Sequence, residues 1–295
     1  MESNIQQFIF EDCKNSCNNI DNLTQLKNKT IFIAGATGFI GNWLTHFLQY
    51  LNLHADLNIT LILLARDKHV FLNQFPYILN STNIHFIESD IRNLTELNSE
   101  INYVIHAAAN PNHKFHISQP LKTMDIITRG TQNLLELSTK LPKLIKFIYL
   151  SSHTVYGKTS QELIDENSVG NVENLDINNV YTASKRLAEI TCQYYRKNLQ
   201  LPIVILRPFS FIGPFQQQNV PWAINNFIRD AVLQSPIRVL GNPTTKRSYL
   251  YGSDVANIIL NTLIKSDIGE VYNIGSNEPI TLDKLAITIK DIVNP

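Results

Sequence analysis

The amino-acid sequence predicts a doubly wound α/β fold, in which helices cover both faces of a parallel sheet and a smaller C-terminal lobe follows. Two observations predict it. From residue 30 onward, short apolar runs typical of buried strands alternate with helical patterns. The first run is followed by three glycines and then by an apolar-periodic stretch, an order that suits a phosphate-binding turn between a strand and a helix.

Six apolar runs predict strands of the sheet, at residues 30–34, 59–65, 84–87, 103–107, 145–150 and 203–206. Helical patterns separate most of these runs. Repeated β-α-β order implies right-handed crossovers between parallel strands. A ligand site is then expected at the carboxyl ends of the strands, where the strand order reverses.

Composition and charge limit the functions of the chain. Its 295 residues, 44% of them hydrophobic, suffice for one α/β domain with an appended lobe. The formal net charge of zero gives no reason to expect a nucleic acid or an anionic membrane as main partner. No apolar run has the length of a transmembrane helix, and the N-terminus lacks the order of a signal peptide, so we expect a cytoplasmic protein. The three cysteines lack a metal-ligand spacing, and we expect free thiols and no metal site.

The glycine cluster is the first candidate site. The turn lacks side chains that would block a pyrophosphate, and the helix after it offers free N–H groups and the positive end of its dipole. The alternative is a tight strand-to-helix connection that binds no ligand. The candidate cofactor contacts in this turn are Gly35, Thr37, Gly38, Phe39, Ile40 and Gly41.

The ends of the next three predicted strands carry further candidates. Arg66 offers a guanidinium to a 2′-phosphate and favours NADP, while Asp67 beside it leaves NAD open; a solvated loop arginine is the alternative. Asp90 and Ile91 are expected at the adenine edge. After the fourth strand, small residues suit a backbone that runs close to a cofactor, namely Ala107 and Ala108, and His106 before them is predicted to be structural.

The candidates for chemistry follow the fifth strand. Ser151 to Gly157 begins with a row of hydroxyls, and Tyr181 and Lys185 stand four residues apart in the next helical pattern, so they share one helix face. A lysine ammonium close to a phenol is expected to lower the pKa of the tyrosine, which makes it a usable acid or base. A serine hydroxyl can then hydrogen-bond the reacting oxygen. The alternative for the Tyr–Lys pair is a solvated helix face.

From about residue 29 onward the sequence resembles the extended short-chain dehydrogenase/reductases, specifically the epimerase/dehydratase branch that acts on nucleotide sugars. The motifs occur in the order of that family, as GATGFIG, HAAA, SSHTVYG, YTASK, LRPFSFIGP, RSYLYGSDVA and YNIG. The resemblance implies a Rossmann-like fold and NADP or NAD as cofactor. It also implies that Tyr181 is the catalytic tyrosine, Lys185 its partner and a ribose ligand, and Ser152 the third member.

The resemblance assigns roles beyond the catalytic residues. It implies that Arg247 grips the substrate diphosphate, that Arg238 touches the base or diphosphate unless it is an exposed strand arginine, and that Pro208 contacts the cofactor. Ser210, at a substrate-contact position, stands where the family has asparagine, as does Ile127 at a position that supports the active site. A homodimer through the helices after the fourth and fifth strands is also expected.

The domain organisation follows from the same motifs. Residues 1–29 are an N-terminal extension for which we predict a short helix packed on the main body, with a frayed or partner-binding arm as the alternative. Residues 30–208 are the dinucleotide-binding domain and 209–295 mainly a substrate-binding lobe, with 253–274 returning to the main sheet. In this C-terminal part we predict helices at 220–233 and 280–293, and strands at 237–241 and Val271–Ile274.

The residues after the fifth strand narrow the reaction. Ser152-His153-Thr154 stands where dehydratases of this branch have Thr-Asp-Glu, whose two acids help to expel water, so a 4,6-dehydration is disfavoured. The Ser-x-Thr arrangement, with Thr154 included among the catalytic candidates, resembles the C4 epimerases and 4-keto reductases. His153 is either an additional proton relay or a packing residue.

The sequence therefore predicts hydride transfer at C4 of a nucleotide-activated sugar, with a 6-deoxyhexose favoured. Two alternatives remain. One is a non-catalytic NAD(P)-binding scaffold or sensor, and the other is a reductase of a carbonyl substrate without a nucleotide.

Overall fold

The computed structural model describes residues 2–17, 20–159, 161, 163–173 and 176–293. In these residues the strands are β1 Thr30–Ala34, β2 Thr60–Ala65, β3 Ile84–Glu88, β4 Ile101–His106, β5 Lys146–Leu150, β6 Ile203–Pro208, β7 Ser210–Ile212, β8 Lys246–Tyr251, β9 Val271–Ile274 and β10 Pro279–Thr281. The helices are α1 Glu2–Cys17, α2 Phe39–His54, α3 Lys68–Gln74, α4 His113–Ser118, α5 Pro120–Ser138, α6 Val180–Leu199, α7 Ala223–Val232, α8 Gly252–Lys265 and α9 Leu282–Val293.

The chain divides into two compact units. The first unit comprises Met1–Pro208 and Ser253–Ile274, and the second comprises Phe209–Gly252 and Gly275–Pro295. Within the described part of the first unit, seven parallel strands form a sheet in the order β3-β2-β1-β4-β5-β6-β9. This confirms the predicted α/β fold class.

The strand order reverses at β1, which pairs with β2 on one side and β4 on the other. Ala34 and His106, the last residues of β1 and β4, are partners in the parallel register. Because a crossover leaves a crevice at such a reversal, the turns that follow β1 and β4 are the place where this fold accommodates a ligand.

Helices cover both faces of this sheet. Successive residues of β1 point to opposite faces, and Ile31, Phe32 and Ile33 are all fully buried, so neither face meets solvent there. On one face the core includes strand residues such as Phe32 and Phe147 together with Leu134 from α5 and Ala188 from α6.

The N-terminal extension contains the helix α1, which packs on α2 and α8. The rings of Phe10 and Tyr50 meet edge to face with centroids 5.7 Å apart. The Ser16 hydroxyl donates to Asp254 Oδ1 at 2.9 Å, and the Asn257 amide donates to the Ser16 carbonyl. Hydrogen bonds near the C-terminal end of α1 therefore tie it to the first turns of α8.

The second unit has its own small core. Within the described residues, its sheet has the order β10-β8-β7, with β7 and β8 parallel and β8 and β10 antiparallel. The core lies between α7 and α9, where Ile224 and Phe227 meet Leu285 and Ile289.

Three local predictions for this part of the chain need correction. The strand predicted at 237–241 does not form; Ile237 and Val239 pack on the core between α7 and α9, so side-chain burial and not sheet pairing explains their alternation. The helix predicted at 220–233 begins only at Ala223. The helix predicted at 280–293 begins at Leu282, because 279–281 pair with β8 as β10.

Within the described residues, every helix is too short or too polar to cross a membrane.

Candidate active site

Two of the three glycines in the turn after β1 are required by the fold itself. Gly35 has φ +87°, and a Cβ on it would lie 2.7 Å from the backbone of Ala107 and Ala108 after β4. A Cβ on Gly41 would lie 2.3 Å from the Gly35 carbonyl oxygen. These two glycines let β4 and the first turn of α2 approach the turn closely.

The third glycine is not required by the packing around it. Gly38 is the N-cap of α2, with an ordinary φ of −82°, and a Cβ on it would meet only the Gly35 carbonyl oxygen at an acceptable 3.4 Å. The missing side chain instead leaves room in front of the α2 N-terminus, where free N–H groups and the helix dipole favour an anion. The turn therefore fits the pyrophosphate of a dinucleotide. Thr37 lies exposed at its tip, and Phe39 and Ile40 are partly exposed.

Asn42 supports the glycine turn from below. Its side-chain amide donates to the carbonyls of Thr37 and Gly38 at 3.1 and 2.8 Å. The backbone carbonyl of Asn42 accepts from His46 Nδ1 at 2.7 Å, and the other ring nitrogen of His46 lies 2.5 Å from the Tyr77 hydroxyl. Because His46 is fully buried, desolvation lowers its pKa to about 4, and the imidazole is neutral. This network was not predicted from the sequence, where its only signal is two polar residues four apart in an apolar helix.

At the end of β2 the structure separates the roles of Arg66 and Asp67. Asp67 Oδ1 accepts from the His69 backbone N–H at 2.8 Å and caps α3. Arg66 is exposed, and its charge contributes to lowering the pKa of Asp90. Arg66 is therefore the more available of the two side chains for a ligand.

The structure places Asp90 in an ion pair. Both of its carboxylate oxygens accept hydrogen bonds of 2.8 Å from Arg92, which lowers the pKa of Asp90 to about 2, and Arg92 also donates to Asp125 at 2.6 Å. The Ile91 side chain is buried against Gly130 of α5. These side chains thus stabilise the loop after β3, a role that the sequence analysis did not predict.

Lys185 and Tyr181 lie on one face of α6, at the carboxyl end of β5. The Lys185 ammonium donates to the Leu150 carbonyl at 2.7 Å and lies 4.9 Å from the ring centroid of Tyr149 and 5.9 Å from that of Tyr181. Burial lowers the pKa of Lys185 to about 8. The Ser152 hydroxyl lies near enough to the Tyr181 phenol to lower the pKa of that phenol. The three residues predicted for catalysis are therefore brought together.

The predicted effect of Lys185 on Tyr181 needs correction. Burial raises the pKa of Tyr181 to about 12, and the nearby Ser152 hydroxyl only partly opposes this. The phenol stays protonated because desolvation disfavours its charged form, and Lys185 directs its ammonium to a backbone carbonyl. At neutral pH this tyrosine is an acid that can give up its proton to a stronger base.

The two residues after Ser152 have different contacts. Thr154 Oγ1 donates to Ser152 Oγ at 3.1 Å, which orients the serine hydroxyl. His153 Nδ1 lies 3.2 Å from the carbonyl oxygen of Pro208, the last residue of β6, and so ties two strand ends together. His106 is fully buried with Nε2 2.9 Å from Thr131 Oγ1, and burial lowers its pKa to about 3, which agrees with the structural role predicted for it.

One close neighbour of Tyr181 has no sequence signal. The imidazole of His116, at the end of the short helix α4, lies parallel to the Tyr181 ring, with centroids 4.4 Å apart and an interplanar angle of 10°. No motif or spacing in the sequence relates residue 116 to residue 181.

The predicted substrate contacts lie in the second unit. Ser210 is the first residue of β7 and is partly exposed. Arg238 is exposed, with Nε 3.7 Å from Asp230 Oδ2. Arg247, in β8, is exposed and donates from its guanidinium to the Lys246 carbonyl at 2.8 Å. Among the residues that the structure describes, no group of three His, Cys, Asp or Glu side chains is placed to hold a metal ion.

The fold and the glycine turn define an α/β protein of the dinucleotide-binding kind. Residues 31–275 match the NAD dependent epimerase/dehydratase family, and the chain belongs to that family. This confirms the resemblance drawn from the motifs, and the family is NAD-dependent, in line with the predicted cofactor class.

Individual relatives carry several activities. The chain is similar to the dTDP-D-glucose 4,6-dehydratase of Dictyostelium discoideum, with 32% identity over 89% of this chain and 62% of that protein. It is similar to UDP-glucuronic acid decarboxylase 1 of Danio rerio, with 26% identity over 92% and 62%. Among solved structures it resembles UDP-glucuronic acid 4-epimerase from Bacillus cereus in complex with NAD, with a TM-score of 0.77 and 27% identity over 90% of this chain and 83% of that one. The chain spans 62% of the length of the first two relatives.

Proposed function

We propose that this chain binds NADP or NAD and transfers hydride at C4 of a nucleotide-activated sugar, as a 4-keto reductase or a 4-epimerase. The observation that carries the proposal is the convergence of Ser152, Tyr181 and Lys185 at the carboxyl end of β5. In the same sheet, the strand order reverses beside a glycine turn that fits a pyrophosphate.

Three features support the cofactor assignment. Gly38 places no side chain before the α2 N-terminus, and the backbone of Ala107 and Ala108 runs beside Gly35. Arg66 is exposed while Asp67 caps α3, which favours the 2′-phosphate of NADP. When bound, the nicotinamide would supply or accept the hydride. Lys185 would hold the adjoining ribose, and Pro208 and the loop at Asp90 and Ile91 would line the remainder of the site.

In the direction of reduction, these side chains would supply the proton. With a pKa of about 12, Tyr181 is protonated at neutral pH and can donate its proton to the 4-keto oxygen as hydride arrives. Ser152, oriented by Thr154, would hydrogen-bond that oxygen. In the opposite direction the same oxygen would accept the proton of the C4 hydroxyl as hydride leaves.

The substrate assignment rests on the second unit and on the named activities of relatives. Arg247 and Arg238 present exposed guanidinium groups, which match phosphate oxygens bidentately, and we assign them with Ser210 to the nucleotide diphosphate. The relatives reported above act, by name, on UDP- or dTDP-linked sugars. A 6-deoxyhexose is the sugar that we propose.

A 4,6-dehydratase is the second candidate, because one similar relative bears that name. Against it, Ser152-His153-Thr154 contains neither of the acids that dehydratases of this branch carry there. His153 is directed to the Pro208 carbonyl, so it does not replace them in the described arrangement.

A homodimer through α5 and α6 also forms part of the proposal. Apolar side chains are exposed on α6 at i, i+3 and i+7, namely Leu187, Ile190 and Tyr194, and on α5 at Leu121 and Met124. Such a stripe on two adjacent helices supports burial by a second copy.

The test is turnover of a panel of UDP- and dTDP-sugars and their 4-keto-6-deoxy derivatives with NADPH or NADH. Absorbance of the reduced nicotinamide identifies a reductase, product isomers without net oxidation identify an epimerase, and a 4-keto-6-deoxy product identifies a dehydratase. Tyr181→Phe is expected to lower kcat by about 1000-fold or more and to spare cofactor binding. Tyr272→Phe, which removes a phenolic hydroxyl from β9, is the matched control.

Undiminished activity of Tyr181→Phe would refute the mechanism. Tight NADPH binding without turnover of any sugar in the panel would favour a scaffold or sensor. Unchanged kinetics of Arg247→Ala would favour a carbonyl substrate without a nucleotide.

A further inference from the structure

The ring of His116 covers one face of the tyrosine on which the proposed reaction depends. The two rings are 4.4 Å apart between centroids and tilted by 10°, a stacked arrangement. His116 is 4% exposed, so its ring is part of the interior and not a surface side chain that happens to lie nearby.

Hydrogen bonds in the loop after β4 fix the position of this imidazole. His116 Nε2 donates to the Asn110 carbonyl at 2.6 Å; because a carbonyl only accepts, Nε2 carries the hydrogen. The Asn110 side chain accepts from the Asn112 backbone N–H at 2.9 Å, and the Asn112 side chain in turn caps α4 at Lys114. The ring is therefore anchored to a loop whose backbone is itself closed by hydrogen bonds.

The contact acts through geometry and not through charge. Burial lowers the pKa of His116, so the imidazole is neutral at neutral pH and adds no charge beside the phenol. Stacked aromatic pairs gain dispersion and quadrupole energy that depends on ring orientation. With His116 on the ring face and Ser152 at the hydroxyl, Tyr181 cannot turn about its side-chain bonds without losing the stacked contact.

We propose that His116 is a positioning residue that holds Tyr181, by stacking, in the rotamer that delivers its proton. The inference rests on the proposed function, since it assigns His116 to the same proton transfer. Proton transfer needs a heavy-atom approach near hydrogen-bond distance, and small displacements of a reacting group are costly in rate. Loss of the ring is thus expected to lower kcat while the KM for the sugar and the affinity for the cofactor stay the same.

Three variants separate stacking from other roles. His116→Leu removes the aromatic ring at similar volume and is expected to lower kcat about tenfold or more, with a larger solvent isotope effect because proton transfer becomes rate-limiting. His116→Phe keeps the ring without the hydrogen bond and is expected to retain kcat within about threefold. His85→Leu makes the same change at an exposed position of β3, away from α4, and is expected to match the wild type.

The outcomes distinguish this inference from the function on which it rests. If the wild type shows no turnover, or Tyr181→Phe is fully active, the proposed function fails. If Tyr181→Phe is inactive and folded His116→Leu keeps the wild-type kcat and isotope effect, only the positioning role is overturned. A folded His116→Phe as slow as His116→Leu also overturns it, because the hydrogen bond and not the ring would then matter. If His116→Leu does not fold, His116→Gln, which keeps an N–H for Asn110 and lacks a ring, replaces it with the same expected loss.

Discussion

Two buried lysines stand at opposite ends of β5, and they are used differently. Lys146, at the amino end, donates to the carbonyls of Thr262 and Ser266 at 3.0 and 2.7 Å and to the Ser266 hydroxyl at 3.1 Å. An ammonium has three hydrogens, so these bonds satisfy it completely and cap the C-terminal end of α8. Lys185, at the carboxyl end, makes one hydrogen bond, to Leu150, among the described residues.

The difference shows where the sheet keeps donor capacity for a ligand. Burial lowers the pKa of both lysines, so burial alone does not mark a site. The two lysines differ in their hydrogen bonds. Lys146 has protein acceptors for all the hydrogens of its ammonium, while Lys185 retains N–H groups beside Tyr181 that a ligand can use. Ser151, also at the carboxyl end of β5, has a buried hydroxyl that the described residues leave without a partner.

Of the two lysines, Lys185 at the carboxyl end is expected to have the larger effect on kcat. Lys185→Met is expected to lower kcat by at least about 100-fold, because the ammonium beside Tyr181 and the proposed contact with the cofactor ribose are both lost. Stability is expected to change little, since Met fills the volume and removes a buried charge. Steady-state kinetics and urea unfolding measure the two quantities. If Lys185→Met is less stable but keeps the wild-type kcat per folded molecule, Lys185 has a structural role like that of Lys146.

The amino end should show the reverse pattern. Lys146→Met removes the donor to the Thr262 and Ser266 carbonyls and to the Ser266 hydroxyl, and it is expected to lower the free energy of unfolding by about 2 kcal/mol. The kcat of the folded enzyme is expected to stay within about twofold of the wild type, because the site lies at the other end of the strand. Urea unfolding at 25 °C measures the loss. Equal stability with reduced kcat would contradict the structural role.

A third prediction uses His106, which ends β4 on the same side as Lys185. Its folded pKa is lowered from 6.5 to about 3, first by burial and then by the charge of Lys185. The unfolded chain therefore takes up a proton first as the pH falls below 6.5, and stability that is fully present above that pH is lost. Between pH 7.5 and 5.5 this histidine is expected to remove about 1.4 kcal/mol, a loss that His106→Gln should abolish.

Urea unfolding at the two pH values tests this dependence. His46 also has a lowered pKa and adds a similar loss of stability in both proteins. The free energy of unfolding of His106→Gln is therefore expected to fall less than that of the wild type between the two pH values, but still to fall. An unchanged slope in His106→Gln would mean that His106 is not held neutral by its surroundings.

How much of this could be predicted from sequence depends on the range of the interaction. The strands, the glycine turn and the Tyr181–Lys185 pair are set by local periodicity and spacing, and they were predictable. The capping role of Asp67 is also local, since its carboxylate accepts from the N–H two residues ahead, yet it competes with a ligand role that the same residue type suggests.

Tertiary approach explains what sequence reasoning missed. The stacking of His116 on Tyr181 arises where α4 meets α6, and no spacing encodes it. The raised pKa of Tyr181 comes from desolvation, which only packing determines, whereas proximity to Lys185 in sequence suggested the opposite sign. At 237–241 the alternation of apolar residues was correct, but its partner is a pair of helices and not a strand.

The smallest expected effect is at β2, and it tests whether a side chain at the carboxyl end of that strand also keeps its donors for a ligand. Arg66 is exposed at the carboxyl end of β2, whereas Asp67 is engaged in the cap of α3, so Arg66→Ala is expected to weaken NADPH binding about fivefold to tenfold and to leave NADH binding nearly unchanged. Because an exposed ion pair is screened, the loss should shrink at 0.5 M salt. Titrations of cofactor fluorescence at two salt concentrations measure both effects, with exposed Arg129→Ala on α5 as control. An equal loss of affinity for NADH and NADPH would show that Arg66 stabilises the loop and does not bind the 2′-phosphate. Unused donors at the carboxyl end of a strand would then be confined to β5.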